Sequence, residues 1–166
     1  MLKVGDKLPA GTLSEFIEVE GNGCSIGPNG VDLIKATAGK KIAIFALPGA
    51  YTPTCSVQHV PGYVTKAAEL KAAGIDEIWC IAVNDAFVMG AWAKQSGAEG
   101  KITMLADGNC LYTKELGLEL DASGFGMGQR GQRFALIVEN GVAKHVFIEA
   151  PMEFKVSAAE NILANL

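Results

Sequence analysis

The chain has no Cys-x-x-Cys pair, only two histidines and only two arginines, and its four cysteines (Cys24, Cys55, Cys80 and Cys110) lie far apart. That pattern argues against a zinc site or a small disulfide scaffold and predicts reduced thiols in a cytosol-like compartment. No apolar run approaches the roughly 20 residues needed to span a bilayer. The longest runs, IAIFAL, IWCIAV and FALIV, have the length of strands. Blocks of like charge are missing too: the net charge is −4, with acidic and basic residues mixed along the chain. This leaves no electrostatic footprint for nucleic acid or an anionic membrane, so small molecules or proteins are the expected partners. The opening MLKVGDKLPAG has no apolar signal core, which predicts a cytoplasmic protein, or an organellar one if a transit peptide has been removed. No repeat or Ser/Pro-rich linker divides the sequence. At 166 residues and 49% hydrophobic, one domain over residues 1–166 is expected.

What is present is an alternation of strand and helix signals. The Gly-rich GNGCSIGPNG reads as the turn of an N-terminal hairpin. KKIAIFAL, ended by Pro48-Gly49, reads as a central strand buried on both faces. A helix follows, with Thr52 as N-cap and Pro53 at its first position, running to a stop at Gly74 with a kink expected at Pro61. Then come strand EIWCIAV, helix AFVMGAWAKQS entered through Asn84 and Asp85, strand ITML, an ADGN turn and a short helix LYTKELG. RFALIVE and VAKHVFIE flank Asn140-Gly141, a strong hairpin signal. The last segment, SAAENILANL, offers Ser157 and Glu160 as a capping box before a helix that buries Ile162, Leu163 and Leu166. Two βα units, a β-hairpin and a closing helix describe an α/β thioredoxin-like fold: a central mixed β-sheet flanked by helices, with an N-terminal β-hairpin extension.

Cys55 is the residue this pattern singles out. It falls in the first turn of its helix, where backbone N–H groups are unpaired and the helix dipole is positive, a place that favours a thiolate. A free thiol has a pKa of about 8.5, and helix N-termini with cationic neighbours bring such groups to roughly 3.5 to 7.5. A lone cysteine can equally be a buried gap-filler, and spacing alone does not separate the two readings. Thr52 lies one turn before Cys55 and His59 one turn after it. A Cys-His hydrolase is disfavoured, because no oxyanion hole or partner for the histidine can be named.

The stretch PGAYTPTCS resembles the peroxiredoxin motif Pro-x-x-x-Thr-x-x-Cys, met by Pro48, Thr52 and Cys55, and the longer string with HVPGY is similar to the type II, or peroxiredoxin-5-like, branch. LKVGDKLP, VNDAFVMGAWAK, LADGN, LGLELD, GMGQRGQRFALIVENG and FKVSAAENIL extend the resemblance over nearly the whole chain. It implies a thioredoxin-like fold and the reduction of hydrogen peroxide and organic hydroperoxides through a cysteine sulfenic acid, with no metal or organic cofactor. It implies roles for Cys55 as nucleophile, Pro48 as a shield over the thiolate and Thr52 as a peroxide-binding group that also caps the helix. Charge developing on the departing oxygen calls for an arginine, and the two candidates are Arg130 and Arg133. The resemblance points to Arg133, with Arg130 secondary and His59 auxiliary, while His145 reads as a sheet-surface residue.

One branch of the family carries a resolving cysteine near the last helix, where this chain reads EFKVSAAEN and has none. Plant type II members carry theirs in the strand after the first helix, and Cys80 matches that place. Cys80 is thus either the resolver or a core residue of a strand. In the second case Cys55 works alone, recycled by glutaredoxin, thioredoxin or glutathione. Cys24 and Cys110 sit in turns and read as surface thiols. The resemblance also implies a homodimer through a face around the active-site loop, to which Tyr51, Phe87 and Trp92 could contribute. A redox sensor or partner-binding protein that oxidises once without turnover is the alternative function.

Overall fold

A computed structural model describes residues 1–17 and 28–166. Strand β1 (Thr12–Glu15) pairs antiparallel with β2 (Asn29–Asp32), so the N-terminal hairpin is present. Most of its turn, with Cys24, lies outside the described residues. A short helix α1 (Leu33–Thr37) leads to β3 (Lys41–Ala46). After the loop that follows β3, residues 53–72 are helical, as a π turn at Cys55–His59 continued by α2 (Val60–Ala72). Next come β4 (Glu77–Ala82), α3 (Ala86–Ser96), β5 (Thr103–Ala106) and α4 (Leu111–Glu115). β6 (Glu119–Asp121) and β7 (Gln129–Gly131) form a small two-stranded ribbon before β8 (Phe134–Glu139), β9 (Val142–Ile148) and α5 (Ala159–Ala164).

The main sheet has the order β2-β1-β5-β4-β3-β8-β9. β3, β4 and β5 run parallel, as their helical crossovers require, while β8 joins β3 antiparallel. The expected α/β thioredoxin-like fold with a mixed central sheet is therefore the one observed. Asn140 and Gly141 both adopt positive φ, 48° and 75°, the turn geometry whose twist matches that of β8 and β9. Among the described residues, no helix is long and apolar enough to cross a membrane.

Period-two alternation sends each strand's side chains into two separate cores. Ala43, Phe45 and Leu47 join Ile78, Cys80 and Ala82 beneath α2, α3 and α5, whereas Ile42, Ile44 and Ala46 join Trp79, Ile81 and Leu105 beneath α1 and α4. A strand covered on both faces needs apolar residues at every position, which is why KKIAIFAL shows no polar alternation.

Asp85 caps α3 by accepting the Val88 N–H, as its position predicts. The capping box at the last helix does not form. Ala158 occupies the N-cap, and the Ser157 hydroxyl instead donates to the buried carboxylate of Glu149. Helix α5 buries Ile162 fully, but Leu163 is only half-buried and Leu166 is exposed, because the helix ends at Ala164.

Candidate active site

The candidate site forms at the carboxyl ends of the parallel strands, where open α/β sheets leave a crevice. β3 ends at Ala46 and delivers Leu47, Pro48 and Gly49 to this edge. In the antiparallel register Ala46 lies opposite Phe134, so Arg133, one residue earlier, stands at the same edge. β4 brings Val83 and Asn84 there from the other side.

The loop between β3 and the helix is tied down locally. Asn84 Oδ1 accepts the Ala50 N–H at 2.9 Å, and the Thr52 hydroxyl donates to the Gly49 carbonyl at 2.8 Å. Thr52 thus stands before the helix, its carbonyl accepting the Ser56 N–H at 3.0 Å, but its hydroxyl closes the loop instead of capping the helix. Tyr51, exposed and at φ 64°, makes the reversal from loop to helix. Arg130 donates from Nη1 to the Val83 carbonyl and from Nε to the Met127 carbonyl, both at 3.0 Å. A Cβ at Gly49 would lie 2.8 Å from Arg130 Nη1, so a glycine is what lets the loop rest on this guanidinium. Arg130 therefore supports the loop, and Arg133 reaches the sulfur.

Cys55 is fully buried, and Arg133 Nη2 donates to its Sγ at 3.3 Å. The second arm of the same guanidinium, Nη1, lies 2.9 Å from His59 Nδ1. A guanidinium only donates, so Nδ1 must be the accepting nitrogen and the ring proton sits on Nε2. Nε2 in turn lies 3.1 Å from the Ser157 carbonyl, a partner that only accepts. His59 is thereby held neutral in one tautomer. Burial, and then the Arg133 charge, push its pKa down to about 3. Such a ring is no general base at neutral pH, and its Nδ1 accepts from the arginine fork.

The π turn serves this arrangement. Pro61 has no N–H and crowds the carbonyl four residues back, so a regular helix would be disturbed at Val57. The irregularity expected at Pro61 is taken up just before it, where the Val60 N–H bonds the Cys55 carbonyl across the wider π turn. Cys55 and His59, at the two ends of that turn, both face inward and are bridged by one guanidinium. Phe45 stacks on Tyr63 at 3.9 Å between ring centres, and Phe45, Tyr63 and Phe154 surround the imidazole at 4.9, 5.7 and 4.9 Å.

His59 sets a stability signature. Its folded pKa lies below the ordinary 6.5, so the unfolded chain takes up a proton that the folded one refuses. The contribution is present above about pH 6.5 and is lost as pH falls toward 3. Between pH 7.5 and 5 the protein is expected to lose about 2 kcal/mol more than a His59→Asn variant does, at ~1.4 kcal/mol per pH unit below the unfolded pKa. Denaturant unfolding of both proteins at the two pH values measures the difference; parallel losses would contradict the neutral assignment.

Cys80 is fully buried in the middle of β4, beside Phe45 in the register of the two strands, and faces the same core as Cys55. Burial, and then the neighbouring Cys55, push its thiol well above the ordinary range. Cys110 is not the expected surface thiol. It is buried at φ 57°, with Sγ 3.9 Å from the Arg130 carbonyl of β7, while Gly108 and Asn109 of the ADGN turn are exposed. Trp92 is core, 2% exposed, and only Tyr51 and Phe87 of the three aromatic residues expected at an interface are exposed, at 50% and 56%. His145 is half-buried and stacks on Phe147.

Asn84, Phe154 and Ser157 were not visible as site residues in the sequence. Asn84 reads as a helix-entry residue, and only the strand order brings it against Ala50. Ser157 contributes its backbone carbonyl, which no side-chain pattern reveals.

The Redoxin family profile matches residues 3–163. Peroxiredoxin-2C of Arabidopsis thaliana is 46% identical over 165 residues, covering 99% of this chain and 98% of its own. The chloroplastic Peroxiredoxin-2E of the same plant is 46% identical over 99% of this chain and 69% of its own. Among solved structures, reduced Prx3 from Vibrio vulnificus in complex with hydrogen peroxide is 48% identical, covers 99% of both chains and superposes with a TM-score of 0.92. With its fold and nearly its whole length matched in this way, the chain belongs to the Redoxin family, among the peroxiredoxins.

Proposed function

We propose that the protein is a thiol-dependent peroxidase in which Cys55 is the nucleophile, Arg133 and Thr52 hold the peroxide, and Pro48 shields the sulfur. One observation carries this reading above the others: the Arg133 guanidinium, fixed by His59, donates to the Cys55 Sγ at 3.3 Å. A permanent positive charge there stabilises the oxyanion that develops on the departing oxygen. The thiolate lone pair attacks the nearer oxygen of the peroxide and the O–O bond breaks. Sulfur is oxidised to the sulfenic acid, and the departing hydroxide or alkoxide takes a proton to leave as water or alcohol.

Return to the thiol needs two electrons from outside the site. A first external thiol displaces water from the sulfenic acid to give a mixed disulfide, and a second releases Cys55 as the thiol together with the external disulfide. Glutaredoxin, thioredoxin or glutathione fits this role. Cys80 is a poor resolver, since its buried, protonated thiol lacks the thiolate form that attacks. The exposed Tyr51 of the loop and Phe87 of α3 supply apolar surface for a homodimer. Recycling by external thiols suits a reducing compartment, cytoplasmic or organellar, and one relative carries a chloroplastic name.

Catalytic consumption of hydrogen peroxide by the reduced protein with excess glutathione plus glutaredoxin, or with thioredoxin, tests the proposal. A Cys80→Ser variant is expected to keep turnover within about threefold, since a buried inert thiol takes no part in exchange. Loss of one peroxide equivalent and no more, with every reductant, would point to a sensor that oxidises once. Loss of turnover in Cys80→Ser, with a Cys55–Cys80 disulfide in the parent, would restore Cys80 as resolver.

A further inference from the structure

Glu149 lies just past the end of β9, 8% exposed, and touches neither Cys55 nor the Arg133 guanidinium through any hydrogen bond found among the described residues. Its Oε1 accepts three donors: the Lys155 N–H at 2.6 Å, the Ser157 N–H at 2.8 Å and the Ser157 hydroxyl at 2.8 Å. Its own N–H donates to the Arg133 carbonyl at 3.0 Å. One residue thus grips the backbone of Arg133 on one side and the 155–157 segment on the other. That segment presents the Ser157 carbonyl, which accepts from His59 Nε2 at 3.1 Å and from the Tyr63 hydroxyl at 2.8 Å. The connections form a closed ring: Glu149 to Ser157, Ser157 to His59, His59 to the Arg133 guanidinium, and the Arg133 backbone to Glu149.

We infer that Glu149 is a positioning residue for the peroxidase reaction, holding the Ser157 carbonyl where it fixes the His59 tautomer and thereby aims Arg133 at Cys55. The inference rests on the peroxidase reading above. A carbonyl on a loop between a strand and a short helix has no regular ladder to locate it, and a carboxylate accepting three bonds at once supplies that location. If the carbonyl shifts, Nε2 loses its acceptor, the proton can move to Nδ1, and Nδ1 then repels the arginine N–H it should accept. Residues that orient a working group from behind cost about 10- to 100-fold when removed.

The experiment combines nitrogen-15 NMR of the histidine rings with single-turnover oxidation of Cys55 by hydrogen peroxide. There are only two histidines, so a His145→Gln background assigns His59 directly. In the parent, His59 is expected to show the neutral Nε2–H form. Glu149→Ala is expected to lose that signature and to oxidise Cys55 about 10- to 100-fold more slowly, while Glu149→Gln, which keeps the accepting oxygen, restores both to within about fivefold. If Glu149→Ala does not fold, Glu149→Asp, with its acceptor drawn back by one methylene, carries the test with the same signs. A slower rate with the His59 signature unchanged, or a glutamine variant as impaired as the alanine one, would overturn the inference, as would a folded variant with parent signature and rate. The NMR arm needs no peroxide. If the parent protein itself fails to react while its His59 signature still depends on Glu149, the positioning stands and the peroxidase reading falls.

Discussion

Arg133→Met is expected to slow oxidation of Cys55 by hydrogen peroxide about 100- to 1,000-fold, the cost of removing one donor aimed at developing negative charge. Stopped-flow mixing of the reduced protein with peroxide measures it. Arg133→Lys is expected to recover little. The guanidinium reaches Cys55 Sγ and His59 Nδ1 with two rigidly spaced arms, at 3.3 and 2.9 Å, and a single ammonium on a flexible stem cannot reproduce that fork. A lysine variant within about threefold of the parent would mean that charge alone suffices and that the fork is incidental. Arg130→Met should behave differently, because its bonds go to the Val83 and Met127 carbonyls and its loss loosens the loop without removing the donor to sulfur.

Cys55→Ser is expected to abolish turnover, by about a thousandfold or more, because a hydroxyl is a far weaker nucleophile than a thiolate and cannot form a sulfenic acid. The substitution changes one atom at a fully buried position that already faces an arginine donor, so the fold should persist. Peroxide consumption with the full reducing system is the measurement. More than about a tenth of the parent rate would place the reaction on another sulfur, against the buried, protonated states of Cys80 and Cys110.

Much of the scaffold was legible because its signals are local. The run KKIAIFAL states burial on both faces, Asp85 stands where a cap must, and Asn140-Gly141 has the two residues that tolerate the hairpin's positive φ. The cysteine and its threonine were legible for the same reason, being one helical turn apart. What escaped depends on distant strands meeting. Ser157 reads as a capping residue in its own segment, yet Glu149, eight residues earlier, competes for its hydroxyl and wins with a buried charge. The Thr52 hydroxyl likewise bonds the Gly49 carbonyl three residues back instead of capping the helix. Cys110 looked exposed because turns usually are, and β7, contributed by a distant glycine-rich segment, covers it. No pattern in the sequence announces that His59 would accept from Arg133, seventy-four residues later, through the nitrogen opposite the one held by a backbone carbonyl.

The most direct test of the account treats the fully reduced protein with one equivalent of hydrogen peroxide in the presence of a sulfenic-acid trap and maps every cysteine by peptide mass spectrometry. The account predicts the trapped label on Cys55, with Cys80 and Cys110 remaining thiols. If Cys55 stays a free thiol while another cysteine is oxidised, Cys55 is packing and the peroxidase assignment of this site is wrong.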